Sequence, residues 1–174
     1  MPEERAASTG SGTQDAPRSP STKKVVLVYS LTAAGTLAWL AGIFLAPYLR
    51  SQDIRWAGLV YAVYSPVCHQ LASRSLCAWG YPLGVCARCL GIYLGFAAGV
   101  ASYPFIRGFR RIALPATGAF LLVSAPIVAD AAANFLRIWA TSGGIRLATG
   151  LLWGTLLPYY FIPGFAELRL PRPE

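Results

Sequence analysis

Small, polar and proline residues fill the first 22 positions, MPEERAASTGSGTQDAPRSPST, and then charge disappears: VVLVYSLTAAGTLAWLAGIFLAPYL, residues 25–49, lies between Lys23-Lys24 and Arg50 without a charged residue. A helix needs about 20 apolar residues to cross the hydrocarbon core, so this run predicts a first transmembrane helix. It is too long for a signal-peptide core and has no small-x-small cleavage pattern, so it belongs to the mature chain. Three further apolar runs follow, at about 90–106, 112–135 and 147–162. The second carries Gly91, Gly95 and Gly99 at every fourth position, which predicts a flat strip for close helix packing. The third and fourth contain Pro126 and Pro158 as expected kinks. WAGLVYAVYSPV, residues 56–67, is apolar but too short to cross, and predicts an interfacial or re-entrant helix.

The expected fold is therefore an all-α integral membrane protein. It has four transmembrane helices, plus a short interfacial or re-entrant helix that leads into a Cys/His loop over 56–89. The N-terminal tail, residues 1–22, has too few apolar residues to offset ordering entropy and is expected to be disordered; residues 23–166 form the membrane domain and 167–174 a C-terminal tail.

Composition sharpens this. The chain is 55% hydrophobic and only 13% charged, against roughly 25% in an ordinary soluble domain, so it cannot cover its own apolar surface in water. The net charge of +8 belongs to topology rather than nucleic acid, because no basic patch is interleaved with aromatics. The clusters Lys23-Lys24 and Arg110-Arg111 fall on one side of a four-span arrangement. That side is then cytoplasmic, with both termini, and the Cys/His loop faces the outside of the plasma membrane.

All four cysteines and the only histidine lie in CHQLASRSLCAWGYPLGVCARC, Cys68 to Cys89. The C-x-x-C of Cys86 and Cys89 suits either two bonds to one tetrahedral ion or a single disulfide. Cys68, His69 and Cys77 are the remaining candidates for a second half-site. Adjacent side chains diverge on regular backbone, so Cys68 and His69 reach one ion only if the chain there is irregular; Pro66 makes that plausible. Three readings stay open on these residues: a zinc site, a membrane-coupled thiol–disulfide pair, and inert structural cysteines.

A second group surrounds Asp130 and Asn134, which share a helix face near the expected outer end of the third span, with Arg146 at the start of the fourth. Ionisable groups at membrane depth are costly and mark either a function or an ion pair. The pair expected here is Asp130–Arg146. The functional alternative makes Asp130 a metal ligand, proton acceptor or head-group contact, with Arg74 and Arg88 holding an anionic substrate such as a phosphate.

CHQ, Arg74-Ser75 and PLGVCARCLGIYLG, residues 82–95, together resemble a family of small prokaryotic multipass membrane proteins catalogued as a domain of unknown function. Asp130 and RLATGLLWG, Arg146 to Gly154, are similar to that family's later-span features. The family often has Asp-Gly and a later glutamine there, where this chain has Asp130-Ala131 and Asn134. The resemblance implies Cys68, His69, Gln70, Arg74, Ser75, Cys86, Arg88 and Cys89 as functional positions and leaves Cys77 peripheral. Cys68, His69, Cys86 and Cys89 then make a complete zinc set, structural if all four bind. With three ligands, the open position would serve a metal-dependent hydrolase acting on a lipid-linked substrate.

The periplasmic disulfide-generating membrane enzymes, which use a quinone, also have four helices, a C-x-x-C before the second span and a nearby arginine. Cys86, Cys89 and Arg88 resemble that arrangement, but residues 137–146 lack the second cysteine pair such enzymes carry. A non-catalytic subunit whose zinc knuckle docks a partner protein, or a homo-oligomer, completes the set of expectations.

Overall fold

The computed structural model describes residues 22–109 and 116–167, and most of these residues are helical. The expected N-terminal tail, the Arg110-Arg111 pair, the start of the third apolar run and the C-terminal tail lie outside the described residues. In chain order the elements are α1 (Thr22–Ser51), α2 (Ala57–Tyr64), β1 (Cys77–Ala78), β2 (Tyr81–Pro82), α3 (Ala87–Ile106), α4 (Thr117–Phe135), α5 (Gly143–Leu156) and α6 (Pro158–Glu167). Among the described residues, α1, α3 and α4 are long and apolar enough to cross a membrane. The fourth apolar run is divided: α5 and α6 meet at Leu157-Pro158, and each alone is too short to cross.

Helices α3 and α5 form the centre. Gly91, Gly95 and Gly99 face the carbonyl oxygens of Leu147, Leu151 and Thr155, while Gly150 and Gly154 face those of Arg88 and Ile92. A methyl group at any of these glycines would collide with backbone, so the two helices touch main chain to main chain. The four-residue glycine spacing in α3 thus meets a matching spacing in α5.

Helix α1 packs against α3 and α6. Near its N-terminal end Val25 joins Tyr103 of α3 and Tyr159, Ile162 and Ala166 of α6 in one buried cluster. Near its other end Ile43 joins Tyr64, Leu83, Val85 and Leu90, and Cys68 lies in the same cluster. The short helix α2 is fixed there because Gly42 leaves room for the Tyr64 ring, whose hydroxyl donates to the Trp39 carbonyl at 2.8 Å. The cysteine loop is therefore seated on packed side chains.

Helix α4 lies on α5 and has one buried residue, Asp130. Its other ties include Trp153 Nε1 donating to Ser124 Oγ at 2.9 Å, the Tyr160 hydroxyl donating to the Ala116 carbonyl at 3.0 Å, and an edge-on contact of the Phe120 and Tyr160 rings.

Candidate metal centre and adjoining arginine cleft

After α2 the chain leaves regular structure. Gln70 has φ of +50°, the left-handed conformation that breaks side-chain alternation immediately after Cys68-His69. A single 3-10 turn, Ala72–Arg74, follows, and then the antiparallel hairpin of β1 and β2 pairs Cys77 with Pro82 and Ala78 with Tyr81. Its turn residues Trp79 and Gly80 both have positive φ, +52° and +80°, as a two-residue hairpin connection requires. The hairpin returns the chain to Cys86, which is extended and stands just before the first turn of α3.

This path brings Cys68, Cys86 and Cys89 together, with all three sulfurs within 4.8 Å of one another. Tetrahedral zinc at about 2.3 Å from each sulfur requires a separation of roughly 3.8 Å, so the sulfurs stand at most about 1 Å beyond that spacing. Two backbone N–H groups already point at the Cys68 sulfur, from Cys86 at 3.2 Å and from Gln70 at 3.5 Å. The Cys89 thiol hydrogen-bonds to Cys86 and, against the opposing effect of burial, pulls the pKa of the Cys86 thiol down to about 5. The cluster is three soft donors with charge-stabilising contacts, which is the donor chemistry of a zinc site.

The remaining candidates fall elsewhere. His69 is exposed and outside the sulfur cluster, and Cys77 is exposed on β1. Gln70, for which sequence suggested no specific role, binds the carbonyls of Tyr61 at 2.7 Å and Gly84 at 2.8 Å through Nε2. It fastens the Cys68 segment both to α2 and to the irregular segment leading into Cys86.

A polar network adjoins the cluster through the first turn of α3. Arg88 forms an ion pair with Asp130 of α4, whose side chain is 5% exposed. The expected Asp130–Arg146 pair is thus replaced: Arg146 donates instead to Asn134 Oδ1 at 2.6 Å. Asn134 lies one turn beyond Asp130, and its amide also donates to the Asp130 carbonyl at 2.8 Å and contacts the Thr141 hydroxyl. Thr141 is a buried loop threonine with nothing in the local sequence to distinguish it.

Beside this network is an open cleft of about 420 Å³, lined by Arg74, Arg137, Arg146, Asn134, Thr141 and Trp139, among others. Arg74 reaches it from the 3-10 turn, while Arg88 is committed to Asp130.

An apolar helical bundle carrying a soft-donor cluster at the mouth of its central helix pair defines a membrane protein with a candidate metal centre. Residues 68–160 match the family described as "Predicted membrane protein (DUF2085)", and the chain belongs to that family. It is also 32% identical over 146 residues to the uncharacterized protein MJ1492 of the archaeon Methanocaldococcus jannaschii, an alignment covering 80% of this chain and 94% of that relative. No solved structure matches the chain significantly.

Proposed function

We propose that this is a four-span membrane protein in which zinc, held by Cys68, Cys86, Cys89 and His69, braces an outward-facing loop against the bundle. The convergence of the three sulfurs carries this reading. His69 is proposed as fourth ligand on its place next to Cys68; it is exposed and outside the sulfur cluster, so its imidazole must turn inward to complete the set. Helices α5 and α6 make the fourth crossing in two pieces. The packing of α6 against both α1 and α3 supports this.

A closed four-ligand zinc is structural. The working face is then the polar surface that the braced loop presents, with Arg74 on the loop and the Arg88–Asp130 and Asn134–Arg146 contacts behind it. Metal analysis of the detergent-purified protein tests the centre. About one zinc per chain is expected. It should be lost in Cys68→Ser and Cys86→Ser, weakened in His69→Ala, and retained in Cys77→Ser.

A second reading, quinone-coupled thiol–disulfide exchange, draws on the contact between the Cys86 and Cys89 thiols at the start of α3. Zinc-free protein with a Cys86–Cys89 disulfide that, once reduced, is reoxidised by added quinone would establish it in place of the first.

A further inference from the structure

Three guanidinium groups line the 420 Å³ cleft, those of Arg74, Arg137 and Arg146. No carboxylate lines it, and among the described residues none of the three has a carboxylate partner within salt-bridge distance. Arg146 is the most telling. It is only 8% exposed, and its Nε is buried without a hydrogen-bond partner. A buried guanidinium with an unused donor is costly unless a counter-charge reaches it. The nearest acid in the network, Asp130, is already joined to Arg88, so Arg146 brings a positive charge that no neighbour matches one for one.

The remaining lining suits an oxyanion. Thr141 and Asn134 offer polar groups, and Ala87 places the N-terminal turn of α3 at the wall, where the helix dipole favours negative charge. Trp139 also lines the cleft, and it is exposed together with Leu136 and Ile138 in the α4–α5 loop. An exposed Trp-bearing apolar loop at the ends of spanning helices has the composition of a segment at head-group depth.

We infer that this cleft is a phosphate-binding site, in which Arg74, Arg137 and Arg146 converge on a phosphomonoester or diphosphate group. Paired N–H donors on each guanidinium match phosphate oxygens, and three cations suit a multiply charged anion. The group can belong to a membrane lipid or to a phosphate in solution; the chemistry recognised is the same. The inference rests on the working face assigned above but requires no metal.

The test uses the full chain in neutral detergent. One arm measures binding of inorganic phosphate and pyrophosphate by equilibrium dialysis, at ionic strength fixed with chloride. The other measures retention of phosphatidic acid, against phosphatidylcholine, from mixed micelles by native mass spectrometry. Saturable binding in the first arm supports a soluble source, and selective retention in the second alone supports a lipid source. In either case Arg74→Gln and Arg137→Gln should each weaken binding about tenfold, the loss of one charge-assisted contact. Both side chains are exposed, so these variants should keep the helical content and zinc of the parent. Absence of saturable binding in both arms, or binding indifferent to both substitutions, overturns the inference. Phosphate binding in zinc-free protein would sink the metal reading and leave this one standing. Zinc without phosphate binding would do the reverse.

Discussion

Gln70 has neither a charge nor a soft donor atom, yet it ties together the segments that bring the cysteines into one place. Its side chain spans the carbonyls of Tyr61 and Gly84, and its own N–H points at the Cys68 sulfur. Outer partners of this kind set ligand direction, and their removal typically weakens metal affinity 10–100-fold. Gln70→Ala should show a loss in that range in competition with a chromophoric chelator, with the thiol count unchanged. A loss below about threefold would show that the loop holds its shape without this bridge. The cysteines themselves were legible in the sequence, since soft ligands crowded into one loop are conspicuous. The exchange of ion-pair partners was not. Asp130, Arg88 and Arg146 are all plausible mates by charge, and only the position of α4 along α3 and α5 decides that Arg88 reaches the acid.

At the scale of elements, the α3–α5 seam is the feature most open to measurement. Gly95 faces the Leu151 carbonyl with no room for a side chain, whereas a methyl group added at Gly35 in α1 would meet nothing within 4 Å. Gly95→Ala should therefore destabilise the fold by about 1–3 kcal/mol through overpacking. Gly35→Ala should be neutral or stabilising by up to about 1 kcal/mol, because alanine loses less backbone freedom in a helix. Unfolding in mixed micelles titrated with dodecyl sulfate distinguishes them, and equal effects would mean the seam is not close-packed. The glycine strip in α3 was readable because its spacing repeats with the helix. The β1–β2 hairpin was not, since two-residue strands have no period to read and Trp79 gives no hint of a positive φ. Nor was the division of the fourth apolar run: hydropathy is the same whether Pro158 bends a helix or begins a new one.

For the whole molecule, the side on which the cysteine loop lies is the outstanding prediction of the charge pattern. Cys77 offers a built-in reporter, because it is exposed and stands apart from the sulfur cluster. If the loop faces outward, a membrane-impermeant maleimide should label one thiol per chain in intact cells, and Cys77→Ser should abolish that signal. Chelation should then expose further thiols. Labelling only after the membrane is permeabilised would reverse the orientation.

The seam between α3 and α5 also imposes an order of events during synthesis. The two helices that touch most closely are separated in the chain by α4, so the glycine face of α3 has no mate when it first enters the bilayer. About fifty residues lie between Ile106 and the end of α5 at Leu156. At roughly 5–20 residues per second, α3 waits several seconds for its mate. Arg88 waits too, for the shorter interval until Asp130 emerges with α4. A nascent chain of this protein thus passes through a stage in which its central helix is in place and incomplete, and the arrival of α5 ends it.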